Sequence, residues 1–284
     1  MTREEGADVT TLAAKSETIF AANRAFASVA FSVKSVAGKT RRAEVHEAGS
    51  LRVRCPGSPA AELEAVLINT AGGVAGGDRF DLDIAARQGT SLVVTTAAAE
   101  KVYRTLGPDS TIGVKLDVAA GATLAWLPQE TILFDRARLS RTIDVSLAPD
   151  ARLFLAEAIV FGRSGMGESV DEGALFDRWR VRRAGRLIYA ESVRLDGAIA
   201  ARLAEPAVAK GGIAVATVLI VPGNDSVMEK VRGLQDQFIG EVGASAWNGI
   251  AAVRLCAADG AALRHDLVHV MTAVRGTLPR IWTN

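Results

Sequence analysis

FDLDIAARQGTSLVVTT (80–96), IGVKLDVAAGATLAWLPQE (112–130), TIDVSLAPDARLFLAE (142–157) and FDRWRVRRAGRLIYAE (176–191) align as four copies of strand, turn and strand. In each copy apolar and polar residues alternate, as on a half-buried strand, up to a turn residue: Gly89, Gly121, Asp150 or Gly185. A leucine then opens the next strand, and Leu92, Leu124, Leu153 and Leu187 are spaced by 32, 29 and 34 residues. A period near 30 in β-rich sequence points to stacked units, each burying its apolar edge against the next. The expected fold is therefore mainly β, a β-helix or solenoid-like stack of short strands. A run of ordinary hairpins in a sandwich is the competing arrangement, because strand, glycine turn and strand is also the hairpin signature.

Four positions after each leucine stand Thr96, Pro128, Glu157 and Glu191, with Glu130 two beyond the proline. If the copies stack, these positions form a column along one side.

Outward from the repeats, residues 1–22 are polar and without a period, and are expected to be a mobile tail. Residues 23–284 are expected to form one domain, with a β body over about 23–222 and a helical C-terminal part over about 223–284. Val227, Val231, Leu234 and Phe238 follow the capping cluster Asn224, Asp225 and Ser226, which predicts one helix. GIAAVRLCA predicts a strand, and Leu263, Leu267, Val270, Met271 and Val274 predict a second helix between Asp259 and Gly276.

About half of the 284 residues are apolar, enough for a sizeable core, and 33 Lys and Arg nearly cancel 32 Asp and Glu. That balance argues against nucleic acid as a partner. Cys55 and Cys256 belong to no CxxC pair, so a reducing, cytoplasmic setting is expected. The longest apolar run, 213–221, is shorter than the roughly 20 residues that cross a bilayer, and no membrane segment is expected.

GKT at 38–40 fails as a phosphate-binding loop, because Val33 stands where its first glycine is needed. NTAGGVAGGDRF (69–80) does not fit GxGxxG and leads into a strand. Its glycines Gly72, Gly73, Gly76 and Gly77 read as a strand-to-strand turn that presents Asp78. HDLVH (265–269) approximates the HExxH of zinc hydrolases, with His265 and His269 on one helical face and Asp266 in place of the glutamate. Arg178, Arg180 and Arg182 lie on one side of a strand, as a solvated face or as a basic surface for an acidic partner. Lys101, Tyr103 and Arg104 are long side chains suited either to the fold or to a partner surface. No GxSxG is present.

Taken in order, NTAGGVAGGDRF, TTAAAEKVYRT, LPQETILFD, EAIVFGRSGMGE and the terminal PRIW closely resemble the UreD (UreH) family of urease accessory proteins. The resemblance runs from about residue 25 to the end. It implies a β-helix-like fold with C-terminal helices, and a non-catalytic chaperone that binds apo-urease and UreF and, through UreF, the GTPase UreG. It also implies no tightly bound cofactor, with nickel in transit, and GTP hydrolysis in the partner, consistent with the failed phosphate-loop match here.

A transfer protein must release the ion, and carboxylates hold nickel less tightly than imidazole or thiolate. Asp78, Glu130, Glu157 and Glu191 are therefore the expected residues of a transient nickel path. A metallohydrolase built on His265 and His269 and a generic β-solenoid binding module are the alternatives.

Overall fold

A computed structural model of the chain describes residues 24–57 and 62–283. The tail expected over 1–22 lies outside the described residues. The strands are β1 (Phe26–Val36), β2 (Lys39–Ala48), β3 (Leu51–Arg54), β4 (Leu63–Asn69), β5 (Arg79–Ala86), β6 (Ser91–Thr96), β7 (Glu100–Val102), β8 (Ser110–Val118) and β9 (Thr123–Leu127). They continue with β10 (Thr131–Leu133), β11 (Arg138–Leu147), β12 (Arg152–Phe161), β13 (Glu172–Arg183), β14 (Arg186–Ala198), β15 (Ala214–Val221), β16 (Glu241–Trp247) and β17 (Ile250–Ala257). The helices are α1 (Ile199–Ala204), α2 (Asp225–Arg232) and α3 (Gly260–Arg275).

The repeats wind as a solenoid. One sheet runs β14-β13-β11-β8-β5-β1-β2, and the other follows β16-β17-β15-β12-β9-β6-β4-β3. Strands β1, β5, β8, β11 and β13 are parallel in the first, and β4, β6, β9 and β12 in the second. Corners at 87–90, 119–122 and 148–151 carry the chain between sheets and stack on one another. The Thr123 N–H donates to the Thr90 carbonyl at 2.8 Å, and the Arg152 N–H to the Ala122 carbonyl at 2.9 Å. A third short ladder joins β7, β10 and the end of β12.

Leu92, Leu124 and Leu153 stand in register across β6, β9 and β12, as a stacked column requires. The fourth copy departs from this pattern. Its first strand, β13, joins the stack, but the turn has only Ala184 and Gly185, both at positive φ (49° and 78°). Paired positive φ gives the tight hairpin twist, so β14 folds back antiparallel in the same sheet, and Leu187 lies opposite Arg182. Corner length separates the two outcomes: the longer corners change sheet, and the two-residue turn cannot.

Antiparallel strands close both ends of the parallel stack. β2 and β14, at the edges of the first sheet, carry many charged residues, which discourages edge-to-edge pairing with other chains.

Strand β12 is buried on both faces. Leu153, Leu155, Ile159 and Phe161 face the first sheet, while Phe154, Ala156, Ala158 and Val160 belong to a second core with Leu263, Leu267, Val270 and Met271 of α3. Asp259 caps α3 by accepting from the Ala261 and Ala262 N–H groups at 2.9 Å, and Gly276 ends it. Helix α2 stops at Arg232, before Gly233, so Leu234 and Phe238 fall outside it. Strand β16 and helix α1 had no counterpart in the sequence reading. No helix among the described residues is long and apolar enough to cross a membrane.

Candidate functional site

Among the described residues, three charged side chains are buried in the inward phase of strands, between the two sheets. On β11, Arg141 takes the inward phase between Leu139 and Ile143; on β13, Asp177 does so between Leu175 and Trp179. Parallel register sets Arg141 directly opposite Asp177. From the other sheet, Glu157 takes the inward phase of β12 between Leu155 and Ile159. Arg141, Glu157 and Asp177 are 4%, 5% and 4% exposed.

Groups so buried are tolerable only when paired and hydrogen-bonded. The Arg141 guanidinium grips Asp177 with two bonds, Nε to Oδ1 at 3.0 Å and Nη2 to Oδ2 at 2.6 Å, and its Nη1 donates to Glu157 Oε2. Trp126 Nε1 donates to Glu157 Oε1 at 2.7 Å, and Trp179 Nε1 to Asp177 Oδ1 at 3.1 Å. Burial pushes the Glu157 carboxyl up, opposed by Arg141 and the Trp126 N–H. Burial also disfavours the charged Arg141, but Asp177 and Glu157 outweigh it and the guanidinium is held charged.

This cluster separates two cavities. The smaller, about 250 Å³, is mostly apolar, with Leu67, Phe80 and Trp126 in its wall and Glu100 and Gln129 as polar lining. The larger, about 630 Å³, is lined by Asp177, Glu191, Glu241 and Cys256 among others. Arg141 and Glu157 line both.

Glu157 and Glu191 thus share a cavity. Glu191 is ion-paired with Arg254 and accepts from the Tyr189 hydroxyl. Asp78 and Glu130 lie elsewhere. Asp78 Oδ1 accepts from the Ala25 N–H at 2.8 Å and Oδ2 from the Ala75 N–H at 2.7 Å, which ties β1 to the glycine turn. Glu130 pairs with Arg264 of α3 at 2.9 Å.

The glycine turn is sterically constrained. Gly72, Gly73 and Gly77 have positive φ, and a Cβ on Gly73 would lie 2.3 Å from the Tyr103 ring and 2.9 Å from the Lys101 carbonyl. Gly73→Ala is accordingly expected to cost about 1–3 kcal/mol of stability, read by denaturant unfolding. An unchanged midpoint would contradict that packing.

Tyr103 donates to the Gly72 carbonyl at 2.9 Å and packs edge-on against Phe134, while Lys101 and Arg104 are exposed. Arg178 and Arg182 each approach Asp144 at 3.8 Å, and Arg180 donates to the Trp179 and Glu191 carbonyls. In HDLVH, Asp266 is 1% exposed and accepts from the Ile239 and Gly240 N–H groups at 2.9 and 2.8 Å, an anchoring duty incompatible with that of a general base. The His265 and His269 ring centroids lie 4.2 Å apart with the planes tilted by 37°, and His269 Nδ1 lies 2.8 Å from the His265 carbonyl. Among the described residues, no group of three or more His, Cys, Asp and Glu is placed to hold a metal ion.

Sequence reading missed Arg141, Asp177 and Glu100. The signal for the first two was present: each is a charge in the inward phase of an alternating strand. Glu100 had none, since its burial comes from distant segments. Asn69 Nδ2 donates to both of its oxygens, at 3.1 and 3.2 Å, and burial pushes its carboxyl up to about 7.

Long-range hydrogen bonds tie distant segments together. Asn69 joins the glycine turn to Glu100, and Trp282 Nε1 donates to the Leu127 carbonyl at 3.0 Å, tying the C-terminus to β9.

Comparison with known proteins follows the same span. A family model described as UreD urease accessory protein matches residues 23–283. A urease accessory protein UreD of Rhodopseudomonas palustris (strain BisB18) is 56% identical over 275 residues, 96% of this chain and 99% of the relative. Another, from strain BisA53 of that species, is 55% identical over 266 residues, 94% of this chain and 93% of the relative. One from Bradyrhizobium diazoefficiens is 54% identical over 266 residues, with coverage of 94% and 96%.

Proposed function

We propose, from the premise that this chain belongs to the UreD urease accessory protein family, that it is a non-catalytic cytoplasmic scaffold for maturing the urease nickel centre. In this reading it binds apo-urease and UreF, UreF brings the GTPase UreG, and nickel passes through the interior of the β body.

The observation that carries the route is the wall shared by the two cavities. Arg141 and Glu157 line both, so a cation that crosses from one cavity to the other passes Glu157. Glu100 lies on the smaller side and Glu191 on the larger, giving the order Glu100, Glu157 with Asp177, then Glu191. Carboxylate oxygens bind nickel more weakly than histidine or cysteine does, which favours release over storage. Asp78 and Glu130 are left out of this route, since the first braces a turn and the second the C-terminal helix.

Two co-expression measurements test the proposal. The wild-type chain is expected to co-purify with UreF and apo-urease. Glu191→Gln is expected to keep that association and to lower the nickel content of the urease several-fold. An absence of association contradicts the scaffold, and full nickel loading by Glu191→Gln contradicts its place on the route.

A further inference from the structure

We propose that Arg141 is a built-in counter-cation that keeps the Glu157–Asp177 pair closed to metal in the free chain, and that a divalent cation crosses between the cavities by displacing the guanidinium. This deepens the route proposed above and rests on it.

Arg141 occupies the position a cation would take. Glu157 reaches it from one sheet and Asp177 from the other, and three guanidinium nitrogens are spent on them. With Glu157 ionised against Arg141, two carboxylates and one guanidinium leave one negative charge in a low-dielectric interior, where charge interactions are strong. Two carboxylates around a divalent ion are neutral. The cluster therefore attracts a divalent cation while the arginine blocks the oxygens that would bind it.

Space exists for the exchange. Arg141 lines both cavities, about 250 and 630 Å³, which gives the guanidinium space to move into. The smaller cavity is also equipped for a solvated occupant. Gln129, 6% exposed and in its wall, has an Nε2 with no partner among the described residues, and a buried amide donor calls for an oxygen acceptor. The larger cavity repeats the masking at Glu191, which is held by Arg254. Carboxylates already neutralised by a displaceable base grip a passing ion briefly, because the base competes to return.

Titration of the purified chain with Ni²⁺ alone, with urease absent, tests this. Arg141→Met is expected to bind one Ni²⁺ at least about tenfold more tightly than the wild type, and saturating Ni²⁺ to raise its Tm by about 5 °C. Both gains are expected to vanish in Arg141→Met with Asp177→Asn. Nickel held by the surface histidines would appear equally in all chains and cancels in the comparison. If Arg141→Met does not fold, Arg141→Lys decides. Its ammonium is a point charge that cannot reproduce the two-bond grip on Asp177, and its Ni²⁺ affinity should exceed that of the wild type. Affinity equal to the wild type in whichever variant folds overturns the proposal. Failure of the route itself registers separately, as full nickel loading of urease matured with Glu157→Gln.

Discussion

Arg141→Met is expected to destabilise the chain by about 3–5 kcal/mol in metal-free buffer at neutral pH, the largest effect of any single side-chain change at the site. The variant leaves Glu157 and Asp177 facing each other in the core with no cation between them, keeping only the Trp126 and Trp179 N–H bonds. Most of the loss is the cost of unpaired buried charge, not of the missing arginine contacts. The triple variant Arg141→Met, Glu157→Gln, Asp177→Asn is therefore expected to recover much of it, because no buried charge remains. Denaturant unfolding of the two variants reads the difference. Equal stabilities would show that the arginine contributes mainly through packing.

The second large effect is a pH dependence centred on Glu100. Burial holds its carboxyl at about 7, above the value of 4.5 it has when exposed. Between those values the folded chain retains a proton that the unfolded chain has released, so folding stability falls as pH rises through the interval and levels off above it. Glu100→Gln cannot ionise and has no such loss. Its stability minus that of the wild type is expected to be near zero at pH 4 and to climb to about 3 kcal/mol by pH 8. Subtracting the two curves removes every other titrating group. Parallel curves would contradict the burial of this carboxyl.

What the sequence disclosed and what it withheld divide on physical lines. Strand alternation and the recurring leucines made the stack legible, because Leu92, Leu124 and Leu153 keep one phase and one register. The fourth copy misled because Ala184–Gly185 has the composition of a corner with the length of a hairpin. Counting the residues between strands would have separated the two. Asp259 and Gly276 located α3, since capping is local chemistry.

The site was less legible. Glu157 stood out through the repeat, but its partners Trp126 and Arg141 come from β9 and β11, and Arg141 in turn holds Asp177 of β13, a grouping that only the three-dimensional register brings together. Arg141 and Asp177 could have been flagged as charges in an inward phase. Glu130 and Asp78 looked equivalent to Glu157 in one dimension because sequence does not say which way a residue beside a strand end points. Glu100 sits in an alanine-rich segment with no pattern of its own, and its hydrogen-bond partner Asn69 is thirty-one positions away.

The most direct test of the central claim, that nickel passes the Arg141–Glu157 wall, is metal analysis of urease matured with Glu157→Gln or with Glu130→Gln, using chains that still co-purify with UreF. A several-fold fall in nickel with Glu157→Gln, beside near-normal loading with Glu130→Gln, is the expected result. Equal nickel in the two ureases would contradict the claim.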